Sequence, residues 1–260
     1  MLMSDYLLSP IEDIAQFEGR KYALILAPEL EDRHSHNITN AIETFSALGF
    51  EEIKVVASQH SGVRIDKMNN TKVTPSVETS LRHVDRALDS LAELIGPTDL
   101  FTLYVTGHGS LDNSRNHKAY LQIGGQKLYA GDLADQVNEL CPGHARLIIS
   151  DQCYGADFMY EFTTAAPMVG IAASKTRDCS YSETFPDNFF PALKKTGNVT
   201  YAFAQAYLDK EMRHFNQQFP VITIVGEKRG TYPKKHFSGE RWAKKIIRRF
   251  RFEVQAHGSL

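Results

Sequence analysis

The sequence predicts an α/β fold, a mostly parallel six-stranded sheet with helices on both faces. Three observations predict it. Short apolar runs of strand length alternate with longer spans of helical periodicity. The 260 residues, 42% of them hydrophobic, are enough for one sizeable core. Two of the apolar runs end in reactive side chains, as strands of such sheets do at their carboxyl ends.

The elements follow in order. Lys21-Tyr22-Ala23-Leu24-Ile25-Leu26-Ala27 reads as a buried strand. Residues 37–48 read as a helix that Gly49 can cap, and 52–56 as the second strand. The polar stretch 60–74 reads as a loop. Leu81, Val84, Leu88, Leu91 and Leu94 recur at helical spacing within 76–95, and Gly96-Pro97 stops that helix. A strand over 100–106 follows. Residues 120–123 and 127–129 flank Gly124-Gly125 as a hairpin. A short helix over 132–140 precedes a strand over 147–150. Then come a strand over 168–173, a helix over 198–215 and a last strand over 221–225, whose open edge would support pairing between chains. Residues 238–252 read as a terminal helix with Trp242, Ile246 and Phe250 on one stripe. The expected organisation is an extension (1–20), a catalytic-type domain (21–226) and a basic tail (227–260).

Charge is distributed unevenly. The net charge is −2, which excludes a general polyanion binder, and no specific nucleic-acid partner is expected. From Glu227 onward there are 10 Lys/Arg against 3 Asp/Glu, a local +7, and the remainder carries 19 basic and 28 acidic residues. Lys244, Lys245, Arg248, Arg249 and Arg251 surround the terminal apolar stripe. That pattern suits an acidic partner or an anionic membrane surface, and it equally suits packing on the body of the protein. Three cysteines, Cys141, Cys153 and Cys179, form no disulfide framework. The start Met1-Leu2-Met3-Ser4-Asp5 lacks a signal-peptide pattern, and no apolar run reaches the ~20 residues of a membrane span. A reducing cytoplasm is the expected setting.

Two segments carry the chemistry. Phe101-Thr102-Leu103-Tyr104-Val105-Thr106-Gly107-His108-Gly109-Ser110 delivers a histidine. Leu147-Ile148-Ile149-Ser150-Asp151-Gln152-Cys153-Tyr154-Gly155 delivers a cysteine 45 residues later. An imidazole can take the proton of a thiol and leave a nucleophilic thiolate. If the two strands are neighbours, both groups face one crevice. The Gly109 and Cys153 N–H groups are then placed to form an oxyanion hole. Either residue alone reads more simply as a turn or a small buried hydrophobe. The pairing of strand–His-Gly with strand–Asp-x-Cys-x-Gly is what favours catalysis. Cys141, His144 and Cys153 make a weak metal set, and no metal or cofactor is expected.

These blocks resemble the caspase-like cysteine peptidases, over residues 21–225, and within them the legumain family and the glycosylphosphatidylinositol transamidase subunit. Leu103 to Ser110 is similar to the family's hydrophobic block ending in His-Gly-[SG], and Ile148 to Cys153 to its acid-x-Cys strand end. Arg33-His34 followed by a helix to Gly49-Phe50, and Ala173 to Tyr181, resemble legumain in particular. The resemblance implies a caspase/haemoglobinase-like three-layer sandwich and a cysteine endopeptidase acting on protein or peptide substrates. It implies His108 as general base and Cys153 as nucleophile, with Arg33, Asp151, Cys179, Ser180 and Asp187 lining the primary specificity pocket. One cation and two carboxylates suit a neutral amide, hence cleavage after Asn or Asp. The acid-x-Cys pattern also matches metacaspases, which implies cleavage after Arg or Lys. Transamidation and a non-catalytic interaction module on the same fold stay open. Glu31 stands where legumain has an asparagine, and Cys153-Tyr154-Gly155-Ala156 departs from its Cys-x-Ser-Gly.

Overall fold

A computed structural model describes residues 12–28, 32–57, 67–68, 70–76, 79–140, 145–164, 167–180, 184–212, 220–225, 235–237, 240 and 243–248. The six expected strands are all present and form the middle of one sheet. They are β1 (Lys21–Ala27), β2 (Glu52–Ala57), β5 (Leu100–Gly107), β9 (Ala145–Gln152), β10 (Met168–Ala172) and β11 (Val221–Val225). Three further short strands, β3 (Lys67–Met68), β4 (Thr71–Pro75) and β12 (Lys235–Phe237), extend the sheet to nine in the order β12-β11-β10-β9-β5-β1-β2-β4-β3. The expected loop over 60–74 thus contains strand: β4 runs parallel to β2, with Val73 buried and Lys72 exposed. Glu52 collects Lys54 and Lys72 on one carboxylate at this edge. The edge of β11 expected to be open is covered by β12, which pairs with it antiparallel.

The hairpin forms from β7 (Lys118–Ile123) and β8 (Gln126–Tyr129), with β6 (Gly109–Asp112) added as the third strand of a small separate sheet. Both turn glycines have positive φ, 54° and 80°, which is what a two-residue hairpin turn demands.

The helices are α1 (Asp32–Ala47), α2 (Leu81–Ala92), α3 (Ala130–Leu140), α4 (Gly155–Tyr160), α5 (Thr184–Thr196) and α6 (Val199–Leu208). Helix α1 begins one turn earlier than the apolar periodicity predicts, and α2 five residues later than its span. Helices α4 and α5 carry no clear signal in the sequence. Pro186 and Pro191 disguise α5: Pro191 lies inside it and removes a backbone donor. The helix survives because Phe185, Phe189, Phe190 and Leu193 are fully buried along one face.

Alternation along the strands sorts two cores. Ala23, Ile25, Tyr104, Ile149 and Ile171 face α1, α5 and α6, while Leu24, Leu103, Val105 and Ile148 face α2, α3, α4 and the small sheet. This is the three-layer arrangement. Residues 12–20 dock on the first core: Ile14 is buried, and its N–H donates to the Gly197 carbonyl at 2.8 Å. Residues 243–248 are helical; Ala243 is buried in the same core and Ile246 and Ile247 pack on it, while Lys244, Lys245 and Arg248 are exposed. Trp242, Arg249, Phe250 and Arg251 lie outside the described residues. Among the described residues no helix is long and apolar enough to cross a membrane.

Phe190 sits where α5 meets the sheet, with ring contacts to Phe45, Tyr104 and Phe189. Phe190→Ala removes this contact set and is expected to cost about 3–5 kcal/mol, read as a lowered midpoint in urea unfolding.

Candidate active site

Strands β5 and β9 are adjacent and parallel at the centre of the sheet. Their last Cα partners are Thr106 with Asp151 and Gly107 with Gln152. His108 and Cys153 are therefore the next residues on each chain, side by side at the carboxyl edge. The chain runs from β1 out to β2, β4 and β3 on one side, then crosses back through α2 to β5 on the other side of β1. In α/β sheets ligands bind at the carboxyl ends of the strands, the edge where both residues lie.

Gly107 turns the chain out of β5 with φ 140°, a conformation that favours glycine. Gly109 then starts β6, opposite Leu121. It has no room for a side chain: a Cβ there would lie 2.0 Å from the Cys153 carbonyl oxygen. The histidine loop thus presses directly on the cysteine turn. The small sheet holds the far end of the loop. Asp112 accepts from Lys127 Nζ at 2.8 Å, from the Tyr129 hydroxyl at 2.6 Å and from Ser114. Hydrogen bonds from Lys127, Ser114 and Tyr129 hold its carboxyl far below the ordinary value of 3.8.

On the other side, Tyr154 adopts a left-handed conformation (φ 57°) at the start of α4. A non-glycine residue there marks a tight strand–turn–helix, which holds the partly exposed Cys153 at the top of the sheet. Ser174 staples the turn from beneath: its hydroxyl accepts from the Gly155 N–H at 2.9 Å and donates to the Gln152 carbonyl at 2.9 Å. The segment after β10 runs alongside. Tyr154 N–H donates to the Asp178 carbonyl at 2.7 Å, and Cys153 Sγ lies 3.6 Å from the Ser180 carbonyl. The charge of the Cys179 sulfur, with burial, raises the Tyr154 hydroxyl above its ordinary value.

His108 is exposed and Gly109 partly so. Asp151 behaves differently. It is 5% exposed, and its Oδ2 accepts from Asn37 Nδ2 at 3.1 Å and from the Tyr104 and Thr106 hydroxyls at 3.3 Å each. Burial, reinforced by the Asp151 charge, lifts the Tyr104 hydroxyl well above its usual range and keeps it a donor. Thr106 Oγ1 also lies 3.2 Å from both Asn37 Nδ2 and His34 Nδ1. The His34 ring stands edge-on to His108, centroids 6.1 Å apart.

The structure brings His108, Gly109, Asp151, Cys153, Cys179 and Ser180 together around the ends of β5 and β9. Asp187 sits on α5, where its carboxylate lies 3.1 Å from His36 Nε2 and accepts from Asn40 Nδ2 at 3.3 Å, tying α5 to α1. Arg33 lies in the first turn of α1; its side chain, Glu31, Tyr181, Cys141 and His144 lie outside the described residues. Among the described residues no group of three or more His, Cys, Asp or Glu is placed to hold a metal ion. Asn37, Tyr104, Thr106 and Ser174 were not singled out from the sequence. Their one signal was polarity at positions that a strand or helix face buries.

No family model matches the chain, and no curated protein matches it in sequence. Solved structures do. Protein GSU0716 from Geobacter sulfurreducens is 14% identical over 83% of this chain and 97% of its own, with a TM-score of 0.53. The crystal structure of drICE is 14% identical over 82% of this chain and 91% of its own, with a TM-score of 0.46. A secreted C11 cysteine protease from Bacteroides thetaiotaomicron, solved with an irreversible peptide inhibitor, is 15% identical over 79% and 66%, with a TM-score of 0.41. What this chain shares with the Geobacter protein is the fold.

Two outcomes test the site's construction. Gly109→Ala is expected to push the histidine loop off the cysteine turn, at a cost of about 1–3 kcal/mol, with thermal unfolding lowered and Cys153 alkylation slowed. The depressed Asp112 carboxyl contributes stability that is present above pH 3.8 and is lost as pH falls below it. Asp112→Asn is therefore expected to flatten the acid limb of stability against pH, measured by urea midpoints between pH 5 and about pH 2.

Proposed function

We propose that this chain is a cysteine endopeptidase of caspase-like fold that cleaves after asparagine, in the manner of legumain. The observation that supports it is the β5–β9 register, which sets His108 and Cys153 next to each other at the carboxyl edge of the sheet.

His108 accepts the Cys153 proton, and the thiolate attacks the substrate carbonyl. The Gly109 and Cys153 N–H groups face the developing oxyanion. Collapse of the tetrahedral species releases the amine, which takes its proton from His108. Water, activated by the same imidazole, then frees the acyl group from the Cys153 sulfur.

The pocket reading rests on Arg33, Asp151, Cys179, Ser180 and Asp187. Asp151 is buried and already accepts three neutral hydrogen bonds on Oδ2. A carboxylate so engaged suits a short amide better than a long cation, which favours asparagine over Arg or Lys.

Peptide acyloxymethyl ketones ending in Asn, Asp, Arg or Lys test this, with the adduct mapped by mass spectrometry. Labelling is expected at Cys153, fastest with Asn, and absent in Cys153→Ala. His108→Ala is expected to slow it by about 100-fold or more. No labelling of Cys153 by any of the four probes would sink the peptidase reading. Fastest labelling by Arg or Lys would transfer the specificity to the basic alternative.

A further inference from the structure

We propose that Asn37 is a positioning residue for the dyad, acting through Thr106 and Asp151 to set the spacing between the ends of β5 and β9. The inference rests on the cysteine–histidine reading above.

Thr106 and Asp151 are Cα partners across the two strands, and each lies two residues before a reactive residue. Strand side chains alternate, so both point to the α1 face of the sheet, as Tyr104 and Ile149 do. Asn37 is 3% exposed on that helix. Its amide has two hydrogens, and Nδ2 reaches Thr106 Oγ1 at 3.2 Å and Asp151 Oδ2 at 3.1 Å. One side chain therefore bridges the two strands directly beneath His108 and Cys153.

The Thr106 hydroxyl donates to Asp151 Oδ2, accepts from Asn37 Nδ2 and lies 3.2 Å from His34 Nδ1. His34 lies one turn before Asn37 and presents its ring edge to His108. The first turns of α1 thus hold the histidine side through Thr106 and His34, and the cysteine side through Asp151. A backbone bond alone would fix the strands but leave the side-chain layer under the dyad free to shift. A displacement of ~1 Å at a reacting pair is enough to cost about 100-fold.

A purely structural Asn37 would change stability alone, so the test reads Cys153 chemistry. The rate of iodoacetamide alkylation at Cys153 is followed against pH by peptide mapping, in wild type, His108→Ala, Asn37→Ala and Thr106→Val, each checked for a cooperative thermal transition. Wild type is expected to react at acid pH in a His108-dependent way. Asn37→Ala is expected to lose about tenfold or more of that acid-side reactivity while matching wild type on the alkaline limb. Thr106→Val, which removes the shared oxygen with little change in volume, is expected to show the same loss and carries the test if Asn37→Ala does not fold. A folded Asn37→Ala or Thr106→Val with the wild-type pH profile overturns the proposal. A wild-type profile unchanged by His108→Ala overturns the dyad reading instead, and the two failures are separately visible.

Discussion

A carboxylate buried at the end of a central strand has to be satisfied from within the protein, and Asp151 sets that demand here. An ionised group without hydrogen bonds would be costly in this position. Among the described residues its donors include Tyr104 and Thr106 on the neighbouring strand and Asn37 on the covering helix. Meeting the demand couples β5, β9 and α1 at the level where two reactive side chains emerge. The architecture above follows from that coupling: α1 must reach the carboxyl edge, and β5 must lie beside β9 in one register.

The support from the other direction is backbone-based. Ser174 closes a ring between Gln152 and Gly155, and the Ala156 N–H donates to the Ser174 carbonyl at 3.1 Å. The left-handed Tyr154 then has few alternatives. The cysteine turn is built by β10 and its following segment, and the histidine loop by the small sheet. The two assemblies meet at Gly109, which leaves no space for a β-carbon.

Much of this was legible in the sequence where the signal was local. The six central strands are apolar runs, five of them paired parallel with one another and β11 antiparallel to β10, and runs in a covered sheet are buried on both faces. The hairpin announced itself through Gly124-Gly125. The His-Gly and Asp-x-Cys endings marked two strand ends that turn out to be neighbours in the sheet. Helix α5 was not legible because its prolines mimic a breaker while its phenylalanines do the packing. Strand β4 was hidden because only Thr71 and Val73 of it are fully buried. The Asn37–Thr106–Asp151 bridge joins residues 69 and 114 positions apart, and no periodicity reports a partner at that distance.

The short strands at the two ends of the large sheet have a consequence for how extended polypeptide meets this molecule. Among the described residues its outermost strands, β3 and β12, have two and three residues. An unfolded chain adding itself to either would gain only a few backbone hydrogen bonds before the ladder stopped. A sheet built this way offers extended chains little purchase at its margins. On the peptidase reading proposed above, strand-like segments arriving from solution are left to the carboxyl ends of β5 and β9, where a side chain as well as a backbone can be read.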